Sequence, residues 1–147
     1  MGDGDASDTG GDGVGTVADA ELLNRIARRL DANERFSDVS ARPEYAPDSV
    51  VADYDTGYYP ADVSRAYLRV RWYENGDFSI HYTEQRGSDG WDCRWDRHPN
   101  PHNARDHFHP PPDAETPGED RDFSDDWRDV LGVVLRELDA RIEAFWG

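Results

Sequence analysis

Four of the five histidines in this chain, His98, His102, His107 and His109, fall within one short stretch, interleaved with Arg94, Asp96, Arg97 and Asp106. Imidazole titrates near neutrality, moves protons and ligates metals, so such a cluster marks a site. Three chemistries fit it. The pattern His98-x3-His102-x4-His107-x-His109, with Asp96 or Asp106, offers ligand types that suit zinc. Its spacing matches no strong zinc signature, and Pro99 and Pro101 argue against a regular helix there. Alternatively, one imidazole takes the proton of a ribose 2′-hydroxyl and another protonates the leaving oxygen of a phosphodiester. Arg94 or Arg97 would then stabilise the developing charge. Thirdly, the rings cap backbone groups and pack on Trp95 or Phe108 in a proline-stiffened loop. The working catalytic set is Arg94, Asp96, His102, His107 and His109, with no cofactor and no metal ligands assigned, and zinc as the alternative. Cys93 sits between Trp91 and Trp95 and reads as a small buried hydrophobe, not a nucleophile.

A β-meander must position this cluster. Ala66, Leu68, Val70 and Trp72 alternate with Arg65, Tyr67, Arg69, Arg71 and Tyr73. Beyond Asn75-Gly76, Phe78, Ile80 and Tyr82 alternate with Ser79, His81 and Thr83. A two-residue turn would throw the two apolar sets onto opposite faces. A three-residue loop, Glu74 to Gly76, with Gly76 left-handed in a G1 bulge, pairs Trp72 with Phe78, Val70 with Ile80 and Leu68 with Tyr82. A third strand points Trp91, Cys93 and Trp95 inward and Asp92, Arg94 and Asp96 outward. The outer face then carries Arg69, Arg71 and His81, with Tyr67 nearby. An open sheet face of this kind holds single-stranded nucleic acid in some proteins, and in others is only solvated.

The flanks are helical. Thr16 as N-cap, with Asp19 three residues on, opens a helix over about 17–33 with Leu23, Ile26, Ala27 and Leu30 in its stripe. Ser124 as N-cap opens a second over about 125–146, burying Trp127, Leu131, Val134, Leu138, Ile142 and Phe145. Val50, Ala52 and Tyr54 alternate as a strand. Residues 1–15, Gly- and Asp-rich, read as a disordered tail. Residues 16–147 form one domain with an irregular His- and Pro-rich loop at 97–123. The expected fold class is α+β: an antiparallel meander with the N- and C-terminal helices packed on one face.

The charge is extreme. There are 32 acidic residues against 16 basic ones, a net charge of −16, and every base is Arg. Asp outnumbers Glu by 23 to 9. A dense carboxylate surface without lysine fits a halophilic, high-salt cytosol, where such a surface keeps the protein hydrated and self-repulsion is screened. The net charge therefore says little about partners, and a local Arg patch remains able to bind nucleic acid. A single cysteine excludes an internal disulfide. No apolar run approaches ~18 residues, and the N-terminus lacks a signal pattern, so a soluble cytoplasmic protein without membrane association is expected.

The order Tyr67-Leu68-Arg69-Val70-Arg71, Gly76, Phe78 to Tyr82, Arg94-Trp95-Asp96, Pro101-His102, His107-x-His109 and a closing helix resembles the TumE family of toxin–antitoxin toxins. The likeness covers about residues 48–145, and Trp95, Asp96, Pro101, His102, His107 and His109 carry over. The resemblance implies a toxin-like component with a cognate antitoxin. Joined to the residues, it gives a metal-independent ribonuclease: Arg69, Arg71 and His81 hold RNA, and His102, His107 and His109 transfer protons beside Asp96 and Arg94. The alternative is a non-enzymatic protein-interaction or metal-binding module.

Overall fold

The computed structural model describes residues 17–98, 105–116 and 118–147. The tail expected over 1–15, the proposed cap Thr16, and Pro101 and His102 lie outside the described residues. Seven strands follow one another in space as in sequence and form one antiparallel sheet. They are β1 (Phe36–Arg42), β2 (Ser49–Tyr54), β3 (Arg65–Trp72), β4 (Phe78–Arg86), β5 (Asp89–Arg97), β6 (Asp106–His109) and β7 (Glu119–Asp120). Helix α1 (Ala20–Asp31) precedes them and α2 (Trp127–Ala144) closes the chain. This is the expected α+β meander.

The β3–β4 hairpin has the register that the apolar pattern demands. Trp72 faces Phe78, Val70 faces Ile80 and Leu68 faces Tyr82. Gly76 sits at φ +91°, and its N–H donates to Tyr73 O at 2.9 Å, which closes the three-residue loop. Trp72 stacks on Phe78 with ring centroids 4.5 Å apart. Both helices bury their stripes against this face: Leu23, Ile26 and Leu30 from α1, and Val130, Leu131, Val134, Leu138 and Ile142 from α2. Each such side chain contributes about 1.5–3 kcal/mol by burial.

The structure corrects the helix starts. Asp19, not Thr16, caps α1, its carboxylate accepting from Leu22 N at 3.0 Å. Residues 17 and 18 are extended instead: Glu74 N donates to Val17 O and Asp19 N to Trp72 O, which ties the entry to the hairpin. Asp126, not Ser124, caps α2, accepting from Arg128 N at 2.9 Å, and the Ser124 hydroxyl accepts from Asp126 N. Nor is 97–123 wholly irregular. β6 pairs with β5 through Arg94 to Arg97, and β7 pairs with β6. Backbone N–H and C=O groups along the β5 edge need partners, and a short polar segment supplies them. β1, too weakly patterned to be anticipated, pairs with β2. No helix among the described residues is long and apolar enough to cross a membrane.

α2 is fixed by a buried ion pair as well as by its stripe. Arg141 donates to both oxygens of the fully buried Glu84, at 2.6 and 2.7 Å, and lies over the Trp91 ring at 3.4 Å. The Tyr82 hydroxyl donates to Glu84 Oε2 at 2.6 Å and meets the Tyr59 hydroxyl at 2.8 Å. Burial alone would raise the Glu84 carboxyl, but Arg141 and Tyr82 outweigh it and hold it below its ordinary value. Removing one member leaves a buried charge short of partners. Arg141→Leu is expected to destabilise by about 3 kcal/mol. Urea unfolding should show a lower midpoint at unchanged slope, and Glu84→Gln added to Arg141→Leu should recover much of the loss.

Candidate functional site

Strand register decides which side chains meet on the face opposite the helices. Reading across β3, β4, β5 and β6, one row is Arg69, His81, Arg94 and His109. The next is Arg71, Ser79, Asp96 and His107. Directly opposed antiparallel residues have Cβ atoms about 4.5–5.5 Å apart. The structure thus brings together Arg69, Arg71, His81, Arg94, Asp96, His107 and His109. Arg97, the other arginine considered, falls on the helix side. It makes two hydrogen bonds to Asp106 at 2.8 and 3.1 Å and others to the carbonyls of Phe123 and Ser124.

The half of this face over β5 and β6 is covered. After His109 the chain turns back: Asp92 N donates to Pro112 O, and Ala114 N to Asp92 O. Glu115 O lies 2.8 Å from His109 Nδ1. Gly118 passes so close that an added Cβ would stand 2.9 Å from Phe108 O and 3.0 Å from the His109 ring. Glycine is therefore required there. Asp96 is 3% exposed, His107 1% and His109 5%.

Asp96 is the hub. Its Oδ2 accepts from Arg94 Nε at 2.9 Å and stands 3.0 Å from His109 Nε2 and 3.7 Å from His98 Nε2. The His109 approach has the distance of an ion pair without hydrogen-bond alignment. Burial works to raise the Asp96 carboxyl, but the two imidazoles and Arg94 hold it well below the usual carboxylate range. It stays ionised. His107 differs. Neither ring nitrogen has a hydrogen-bond partner among the described residues, and its neighbours are the rings of His98 and His109, at 5.3 and 6.1 Å. Burial first, then those two imidazoles, lower its pKa, so the ring is neutral at pH 7.

The half over β3 and β4 is open. Arg69 approaches only the Tyr67 ring, at 6.0 Å, and Arg71 is exposed; neither has a carboxylate partner among the described residues. By contrast Arg65 is bound to Asp53 at 2.6 Å. His81 Nε2 lies 3.1 Å from Asp92 Oδ2, and its side chain is 36% exposed. Two participants fall outside the expected set. His98 follows Arg94 and Asp96 at strand spacing and reaches Asp96 with a side chain 40% exposed. Asp92, readable from the sequence as a surface acid, a metal ligand or a carboxylate that orients a histidine, holds His81.

Among the described residues, no three His, Cys, Asp or Glu side chains converge so as to hold a metal ion. Cys93 is buried, and that burial pushes its thiol up to about 12. A separate cleft of about 520 Å³ near the β3–β4 turn is lined by Arg97, Arg105, Asp122 and Asp125. Its arginines are already paired, Arg97 with Asp106 and Arg105 with Asp77.

A family model described as Toxin TumE matches residues 25–142. Comparison with curated proteins and with solved structures gave no match.

The buried neutral ring of His107 has a consequence for stability. Its folded pKa is depressed below the ordinary 6.5, so the unfolded chain binds the proton first. The associated stability is complete above that value and is lost as pH falls through the lowered folded value. His107→Asn is expected to flatten this limb. Urea midpoints measured at about pH 7.5 and 5.5 should fall more for the parent than for the variant.

Proposed function

The chain belongs to the TumE toxin family, and on that premise we propose that it is the toxin of a toxin–antitoxin pair acting by metal-independent cleavage of RNA. The observation that carries this reading is the open sheet face. Two arginines without carboxylate partners among the described residues lie beside imidazoles that are backed by carboxylates.

Each part has a chemical role. Arg69 and Arg71 bind phosphates of a single strand, His81 lies against it and Tyr67 offers a stacking surface. Arg94 is aimed by Asp96 and stabilises charge on the attacked phosphate. His109, beside the ionised Asp96, and His107 belong to the proton-transfer cluster, to which His102 is assigned from sequence. Their burial means that the chain covering them, Glu115 over His109 among it, must give way for direct contact with substrate. The reaction needs no cofactor. The cognate antitoxin is a protein partner that would block this face, and the cytoplasm is where such a toxin meets RNA. The lysine-free acidic composition fits work at multimolar salt.

A second reading draws on the same burial. His107 and His109 as sealed, structural groups suit a non-enzymatic module that docks a protein.

The test is cleavage of labelled RNA at multimolar KCl, with and without chelator. Cleavage that survives chelation is expected. Arg69→Ala and Arg71→Ala should each raise KM about tenfold, the effect of losing one charge-assisted contact. Cleavage abolished by chelator would replace this reading with a metal-dependent hydrolase. A folded, inert parent that binds a neighbouring gene's product would favour the docking module.

A further inference from the structure

We infer that His81 is the general base of this reaction, with Asp92 as its positioning residue; the assignment rests on the ribonuclease reading above. The sequence marks the histidine-rich stretch as the chemical centre. The structure separates accessible imidazoles from sealed ones, and His107 and His109 are sealed. His81 is outside that stretch, on the open half of the face, with more than a third of its side chain exposed.

Its surroundings are those a base requires. Nε2 faces the Asp92 carboxylate at 3.1 Å, so Nε2 carries the proton and the Nδ1 lone pair is left for substrate. Nδ1 has no hydrogen-bond partner among the described residues. A carboxylate behind one ring nitrogen fixes the ring and stabilises the imidazolium as it forms. Burial, partly offset by Asp92, lowers the His81 pKa, so the neutral ring predominates at neutral pH. Asp92 is itself tied by its backbone to Pro112 and Ala114, which fixes the carboxylate's position on β5.

The neighbours complete the arrangement. In the strand register His81 stands directly between Arg69 and Arg94. A phosphate held by Arg94 brings the ribose on its 3′-linked side to His81. Nδ1 takes the 2′-hydroxyl proton, and the 2′ oxygen forms a bond to phosphorus as the bond from phosphorus to the 5′ oxygen breaks. The leaving oxygen receives a proton from the His107–His109 cluster once that is uncovered, and otherwise from solvent. The products are a 2′,3′-cyclic phosphate and a 5′-hydroxyl end, with no change of oxidation state and no co-reactant. Asp92 acts only through the ring it holds.

The experiment is steady-state cleavage of RNA by the full chain, its His81→Ala, His81→Gln and Asp92→Asn variants, with fold checked by circular dichroism. Loss of the base should lower kcat about 10²–10⁴-fold while KM moves little. Free imidazole should restore part of the activity of His81→Ala. Asp92→Asn should lower kcat by a smaller factor and be indifferent to imidazole. His81→Gln keeps a polar group facing Asp92, and so separates loss of the base from loss of local structure. A raised KM at unchanged kcat would make His81 a strand-holding residue only and overturn the inference. So would a kcat loss that imidazole leaves untouched. In both cases an active parent would leave the ribonuclease reading standing. A folded parent that cleaves no RNA would overturn both.

Discussion

One register governs this molecule. The pairing of Trp72 with Phe78, set by a three-residue loop ending in a left-handed Gly76, decides which side of the sheet every later residue occupies. A slip of one residue in this pairing would set Leu68 and Val70 on the face opposite Ile80 and Tyr82, turning one strand's apolar set out of the core and its polar set, Arg69 and Arg71 or His81, into it. The hydrophobic set opposes that slip strongly, because both helices bury their stripes on the same face. The polar face inherits its order from the apolar one. Arg69, His81, Arg94 and His109 stand in a row because their neighbours in sequence are locked into the core.

Two of the buried carboxylates, Glu84 and Asp96, lie on opposite faces of the sheet and are treated differently. Glu84, under α2, has Arg141 on both oxygens, Arg86 beside it and a tyrosine hydroxyl as a further donor. That set is closed, as a structural ion pair must be if desolvation is not to dominate. Asp96, on the other face, has Arg94 aligned on one oxygen. Its Oδ1 has no hydrogen-bond partner in the described structure, and both nitrogens of His107 are in the same state. Each buried unsatisfied group costs about 1–3 kcal/mol. Incompletely satisfied polar groups gathered beside one carboxylate are a feature that a stable core would avoid and a functional site tolerates. The contrast supports separating an anchoring cluster from a working one.

What was legible in the sequence follows from how local its cause is. The alternation at 66–72 and 78–82, the loop glycine and the helical stripes of Leu131, Val134, Leu138 and Ile142 are properties of short segments. They predicted the meander, its register and the helices. The caps went astray because Thr16, Asp19, Ser124 and Asp126 are all competent N-caps, and tertiary bonds chose among them. β6 was read as loop because Asp106, His107 and His109 are polar. Their burial depends on pairing with β5 and on contacts from distant residues, Arg97 and Phe123 on Asp106 and Glu115 on His109, and no local pattern records that. The adjacency of Arg69 and His81 could be deduced from the hairpin, whereas the contact of His81 with Asp92 needed the third strand's register.

The charge distribution bears on how such a face would engage a polyanion. At −16 the molecule as a whole repels RNA at long range. On the proposed reading Arg69 and Arg71, without carboxylate partners among the described residues, attract it at short range. Added salt screens the first effect over a Debye length of about 10 Å at 0.1 M and about 3 Å at 1 M. Guanidinium–phosphate contacts are made inside that distance and are directional, so they are weakened less. On the proposed reading, salt removes a barrier to association as well as weakening the contacts. The steep loss of affinity that cationic nucleic-acid binders show with salt need not apply. An all-arginine basic set is consistent with this balance, since the planar fork makes paired hydrogen bonds to phosphate where an ammonium is only a point charge.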